Sequence, residues 1–154
     1  MIQIITALAL VMVYLMIVCL YAKKVPTSIS ETYYLGGGNI FTLVIAAAGF
    51  LLCSGSLTLT TNPNIEFLAF FSGAGLLFVA AAPQFKDDFV QKVHYAGAFI
   101  FGVASQFWIV FNYSAWYFLI WSVCPLVMLS KRKLFWIEMI CVVNIIFSVI
   151  YNSI

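Results

Sequence analysis

Only a handful of residues in this chain have side chains suited to chemistry, and most fall on one helical face. Take Asp87, Gln91, His94, Ala98, Ser105 and Asn112. At about 100° per residue they cluster within about 60° of one another, with Gly102 and Gln106 at the edge of the stripe. Glu138 lies about one helical turn beyond the cluster Lys131-Arg132-Lys133, where it can face the same end of that stripe. A histidine beside carboxylates can serve as a general base, a proton relay or a pH switch. His94, Asp87 and Glu138 are therefore the catalytic candidates, with His94 and Asp87 as an acid/base pair. Asp87, Gln91, His94, Ser105 and Glu138, joined by Ser30, form the candidate ligand-binding set. A plainer account competes with this one. Asp88 would pair with Lys92 one turn on, Asp87 would be a solvated charge, and His94 would hydrogen-bond a neighbouring helix.

Other chemistries lack their residues. A single histidine cannot build a multi-histidine zinc site, so no metal and no cofactor is expected. There is no GxSxG turn, P-loop or dinucleotide fingerprint, and no basic patch large enough for nucleic acid. The triple glycine at 36–38 lacks the following Lys-Ser/Thr of a phosphate loop. Cys19, Cys53, Cys124 and Cys141 all lie within apolar runs and read as small packed hydrophobes.

The elements that must position these residues are set by composition. Hydrophobic residues make up 65% of the chain and charged residues 8%, against about 25% in soluble domains. Several uncharged stretches approach the roughly 20 residues that cross a bilayer as a helix. The expected fold is all-α: one integral membrane domain over residues 1–154, with six transmembrane helices at about 2–22, 40–59, 67–83, 93–112, 115–130 and 134–153. The first run has no preceding Lys or Arg and no good cleavage site, so it reads as a retained span rather than a signal peptide.

All seven basic residues lie in or beside alternate connections: Lys23 and Lys24, then Lys86 and Lys92, then Lys131, Arg132 and Lys133. By the positive-inside rule those odd connections are cytoplasmic and both termini lie outside. The expected location is a bacterial or archaeal plasma membrane. Tyr33, Tyr34, Tyr113, Trp116 and Trp136 suit the headgroup depth.

Spans two to four are rich in Gly, Ala and Ser, which mark close helix contacts in lipid. Spans one and six are bulkier and are expected to face lipid more. Pro83 should end span three, and Pro125 should kink span five and free the carbonyl of Trp121. The first connection, "VPTSISETYYLGGGNI", reads as an interfacial connector. Ser28 and Glu31 fit a capping box opening a short interfacial helix through Leu35, Gly36 suits a left-handed cap, and Asn39 suits the N-cap of span two.

The "PxxIS" connection with Ser30, the third span ending "FVAAAPQFKDD", and the histidine opening "VHYAGAFIF" together resemble the Frag1/DRAM-like six-span superfamily, in its uncharacterised prokaryotic branch, over about Val25 to Phe111. The resemblance implies a six-span bundle and singles out Ser30, Asp87 and His94. The functional expectation is a multi-pass membrane protein that binds a lipid or other amphiphile at a polar site near the cytoplasmic leaflet, with membrane lipids as partners. It is read as a binding protein rather than an enzyme. The alternatives are a lipid-modifying enzyme using His94 with Asp87, and a small channel or oligomer-forming effector whose Ser105 and Asn112 line a pore. A homo-oligomer or a larger membrane complex is compatible with any of the three.

Overall fold

The computed structural model describes residues 1–36, 38–82 and 87–153, and all regular structure among them is helical. Helix α1 spans Ile2–Ala22, α2 spans Thr32–Gly36, and α3 spans Gly38–Leu59. A 3-10 turn at Pro63–Ile65 leads into α4, Glu66–Ala81, and α5 follows at Asp88–Asn112. A 3-10 helix, Ala115–Val123, runs into α6, Cys124–Met128, and α7 closes the bundle at Lys133–Tyr151. Five of these helical stretches among the described residues are long and apolar enough to cross a membrane: α1, α3, α4 with its preceding turn, α5 and α7.

The segment expected as a helical span over 115–130 has a different form. Nine residues of 3-10 helix precede five of α-helix, and Pro125 sits in the first turn of α6 rather than kinking a longer helix. There its missing N–H costs nothing. The carbonyl of Trp121, expected to be freed, accepts the N–H of Cys124 instead. A 3-10 helix rises more per residue, so these fourteen residues advance about 25 Å despite their number.

They need that reach. At one end of the bundle, the Asn112 side chain donates to Leu59 O at 3.2 Å and accepts from Thr61 N–H at 3.3 Å. Asn152 donates to the Tyr117 hydroxyl at 2.5 Å, bringing the end of α7 to the same level. At the other end, the N–H of Phe135 donates to Thr27 O at 3.0 Å. The chain between Asn112 and Lys133 therefore traverses the bundle from end to end. Lys23, Lys24, Lys92, Lys131, Arg132 and Lys133 all fall at the second end or its rim, whereas Glu66 starts α4 at the first. Lys86 and Pro83 lie outside the described residues.

The centre is built from small residues, as the composition of spans two to four implies. Helix α4 packs most extensively on α5 and α3. A methyl group on Gly75 would sit 2.6 Å from Gly97 O, and one on Gly97 would sit 2.8 Å from Gly75 O. Backbones meet there with no room for a side chain, the geometry that stabilises helix pairs in lipid. Ser56 and Ser72 lock α3 to α4, with Ser56 Oγ donating to Ala69 O at 2.9 Å. Helix α1 buries one face through Ile4, Leu8, Val11 and Leu15, and exposes Val13, Met16, Ile17 and Leu20 on the other. Exposed apolar flanks of this kind suit a hydrocarbon surround.

The first connection is well ordered but differs in detail from the expected motif. Ser28 Oγ accepts the N–H of Glu31 at 3.1 Å, while the Glu31 carboxylate reaches back to the N–H and hydroxyl of Thr27, one residue before the capping-box position. Lys23, not Gly36, takes the left-handed conformation, at φ 50°, and ends α1. Gly36 has another role: a methyl group there would lie 2.6 Å from Val18 Cγ2, so its absence lets the connection press onto α1. Asn39 lies inside the first turn of α3, which begins at Gly38, and does not cap it.

Candidate functional site

His94 projects from the second turn of α5 and is buried. Its ring bridges two other parts of the chain. Nδ1 lies 2.9 Å from Ala82 O, just after α4, and Nε2 lies 2.7 Å from Ser30 Oγ in the first connection. A carbonyl oxygen can only accept, so Nδ1 carries the proton, and in the neutral ring Nε2 accepts from the Ser30 hydroxyl. Ser30 is itself buried.

Glu138 comes from the second turn of α7. Its Oε2 accepts the N–H of Ile29 at 2.6 Å, so a carboxylate on the last helix holds the residue just before Ser30. The turn around them is fixed from outside as well. The amide of Thr27, then the ammonium of Lys24 at 2.9 Å, hold the Glu31 carboxyl down to about 2 from its ordinary range. Lys24–Glu31 is the ion pair among the described residues, and Asp88 and Lys92 are exposed rather than joined to each other.

The remaining expected site residues are placed differently. Asp87 is exposed and N-caps α5, its Oδ1 accepting the N–H of Val90 at 2.8 Å. That is the role of a capping aspartate, and it leaves His94 to pair with Ser30 instead of Asp87. Gln91 turns to its own helix, its Nε2 donating to the Tyr95 hydroxyl at 3.3 Å. Ser105 is fully buried and donates to Gly102 O at 3.3 Å. With Asn112 held against α3, neither residue of the proposed pore lining faces an axis outside the chain. The structure thus brings together Ser30, His94 and Glu138, and does not bring Asp87, Gln91 or Ser105 to them.

Beside Ser30 and Glu138 opens a cavity of about 590 Å³, bounded by α1, α3, α4, α5, the 3-10 helix and α7. This lies within the roughly 300–1,000 Å³ of small-molecule sites. Its walls are almost wholly apolar. Along α5 it follows Tyr95 to Phe107, a rise of about 18 Å, close to the depth of one leaflet of a roughly 30 Å hydrocarbon core. Exposed Phe99, Val103, Phe118 and Leu134 are among its lining residues, so it opens on an apolar flank. Ser30 and Glu138 supply polar atoms at the basic end, and Gln106 does so at the far end.

Gln106 belongs to a network that the helical stripe placed only at its edge. Its Oε1 accepts from Asn144 Nδ2 at 2.7 Å and from Trp121 Nε1 at 3.3 Å, while its Nε2 donates to Cys141 O at 3.3 Å. Asn144 Nδ2 also lies 3.2 Å from Tyr117 O. Three segments are stapled together in this way at mid-bundle. A buried amide in an otherwise apolar run was the available signal for Asn144. Among the cysteines, Cys141 is buried beside this network and the other three are half-buried, all as free thiols.

Comparison with protein-family models, curated proteins and solved structures finds no match to the chain.

Proposed function

We propose that this chain is an integral membrane protein that crosses the bilayer six times and binds a long-chain amphiphile in the cavity beside α5 and α7. The polar head would sit at Ser30 and Glu138, near the cytoplasmic leaflet, with the tail running along α5 toward Phe107. One observation carries the reading. A large apolar cavity opens on an apolar flank, is about one leaflet deep, and has polar groups at its basic end. An apolar chain entering it gives up little lipid contact, whereas its head gains hydrogen-bond partners that hydrocarbon cannot offer.

Six crossings are supported by the end-to-end path of residues 115–128, and the orientation by the gathering of basic residues at one end. Cysteines introduced at Ser130 and Ser153, in a background without native thiols, test this placement. A membrane-impermeant thiol reagent should reach position 153 from outside intact cells and position 130 only after permeabilisation. The same side for both would contradict it. Kinship with the Frag1/DRAM-like superfamily belongs to the same proposal. Its support is that Ser30 and His94, two of the three residues the resemblance singles out, meet across 64 positions.

Gly102 offers a clean test of binding. It lines the cavity, and a methyl group there would meet nothing closer than Cys141 Sγ at 3.9 Å. Gly102→Phe should fill the space without displacing backbone. In detergent, a dansyl-labelled long-chain amine should bind the wild-type protein saturably. The variant should bind it at least about tenfold more weakly, a loss of about 1.4 kcal/mol, with unfolding unchanged. Equal binding by both proteins would sink the reading.

A further inference from the structure

The pairing of Ser30 with His94 goes beyond what a binding cavity requires. We propose that Ser30 is a nucleophile, activated by His94, for acyl transfer from a long-chain carboxylic ester held in this cavity. The inference rests on the amphiphile reading for its substrate and on an independent geometry for its chemistry. Ser30 Oγ lies 2.7 Å from Nε2 of His94, and the ring's other nitrogen donates to Ala82 O at 2.9 Å. An activated serine needs this sequence of contacts: a hydroxyl, an imidazole nitrogen that accepts its hydrogen bond, and a third group fixing tautomer and ring orientation. A main-chain carbonyl here takes the orienting place that a carboxylate often holds.

The surroundings fit the role. Ser30 and Glu138 both line the cavity, at the end where an ester linkage would lie if the acyl chain followed α5. Glu138 acts as a positioning residue, since its carboxylate binds the N–H of Ile29 and so fixes the backbone immediately before the nucleophile. The turn beyond is closed by Tyr33 N–H on Ser30 O at 3.1 Å. Among the described residues the N–H of Ser30 itself has no acceptor, and a nucleophile's own N–H is a common donor to the oxyanion.

The steps balance without any redox partner. Ser30 Oγ adds to the ester carbonyl carbon as its proton passes to His94 Nε2. The bond from that carbon to the alcohol oxygen then breaks, and Nε2 returns the proton to the departing oxygen. An acyl-serine remains. Water, or a hydroxyl of a second lipid, adds to it and gives its proton to Nε2. The Ser30–acyl bond then breaks, and the proton goes back to Ser30. With water the outcome is hydrolysis, and with a lipid hydroxyl it is transacylation.

The full chain in lipid nanodiscs, treated with a long-chain alkyl fluorophosphonate, provides the test. Mass spectrometry should find one adduct, on Ser30, in the wild-type protein. Ser30→Ala should lose it while unfolding like the wild-type protein. His94→Gln should be labelled on the order of 100-fold more slowly, the low end of what a general base contributes. Labelling at an unchanged rate in His94→Gln would overturn the proposal. If His94→Gln fails to fold, the wild-type adduct decides: modification at Ser30 supports the proposal, and modification elsewhere or nowhere overturns it. Amphiphile binding without an adduct removes the nucleophile and leaves the binding site standing. Failure to bind the amphiphile removes the binding reading, and with it this one.

Discussion

Glu31 and His94 illustrate how far single residues carry the account. The run Ser28-Ile29-Ser30-Glu31 signals a local cap from sequence, and a cap of that kind forms, displaced by one residue. The physical consequence is testable. The carboxyl of Glu31 is held at about 2 against an ordinary 4.5, because the Thr27 amide and Lys24 favour its ionised form. Its folded value lies below its unfolded one, so its stabilising contribution is complete above the unfolded value. That contribution is lost as pH falls from 4.5 through about 2. The amide nitrogen shift of Thr27 should therefore titrate near the lower value and stop titrating in Glu31→Gln, whose thermal stability should vary less over that window than that of the wild-type protein. A midpoint near 4.5 in the wild-type protein would contradict the assigned contacts. His94 was legible only in part. Its place on the polar stripe marked it as a candidate, but its partner lies 64 residues away, and a helical wheel does not reach across a fold. The wheel offered Asp87 instead, whose carboxylate is taken by the nearest free amide of its own helix.

Helix pairing in the centre was legible at the level of elements, because the glycines and serines that permit close approach are visible as a composition. Gly75 and Gly97 give the sharpest case. At Gly75 a side chain would meet main-chain atoms of Gly97 and Phe101 in α5, which cannot rotate aside. Gly75→Val should therefore force α4 and α5 apart and cost about 1–3 kcal/mol, as overpacked cores do. Gly102→Ala, whose methyl would make only an ordinary contact with Cys141 Sγ at 3.9 Å, should unfold like the wild-type protein. Thermal unfolding in one detergent compares the two, and equal losses would show that the crossing is not at Gly75. The segment after Asn112 was less legible. An uncharged run rich in aromatic residues fixes that the chain crosses the bundle, yet hydropathy does not distinguish α from 3-10 winding. A proline inside a long apolar run signals a kink, whereas Pro125 begins a short helix.

At the scale of the whole molecule, three features converge on one place. The basic residues gather at one end, the first connection folds onto α5 and α7 at that end, and the cavity begins there and runs about 18 Å along α5. Charge alternation made the first feature readable in sequence. The other two arise from contacts between distant segments, above all the reach of Glu138 to Ile29, and no local pattern encodes them. The most direct measurement of the central claim is photo-crosslinking in nanodiscs with a long-chain amine that carries a diazirine on its tail, followed by peptide mapping. The account predicts crosslinks confined to the cavity wall on α5 and α7, around Ala98 to Val103 and Ile137 to Val142, and their loss in Gly102→Phe. Crosslinks spread over the outer faces of α1 and α3, and unchanged in that variant, would contradict it.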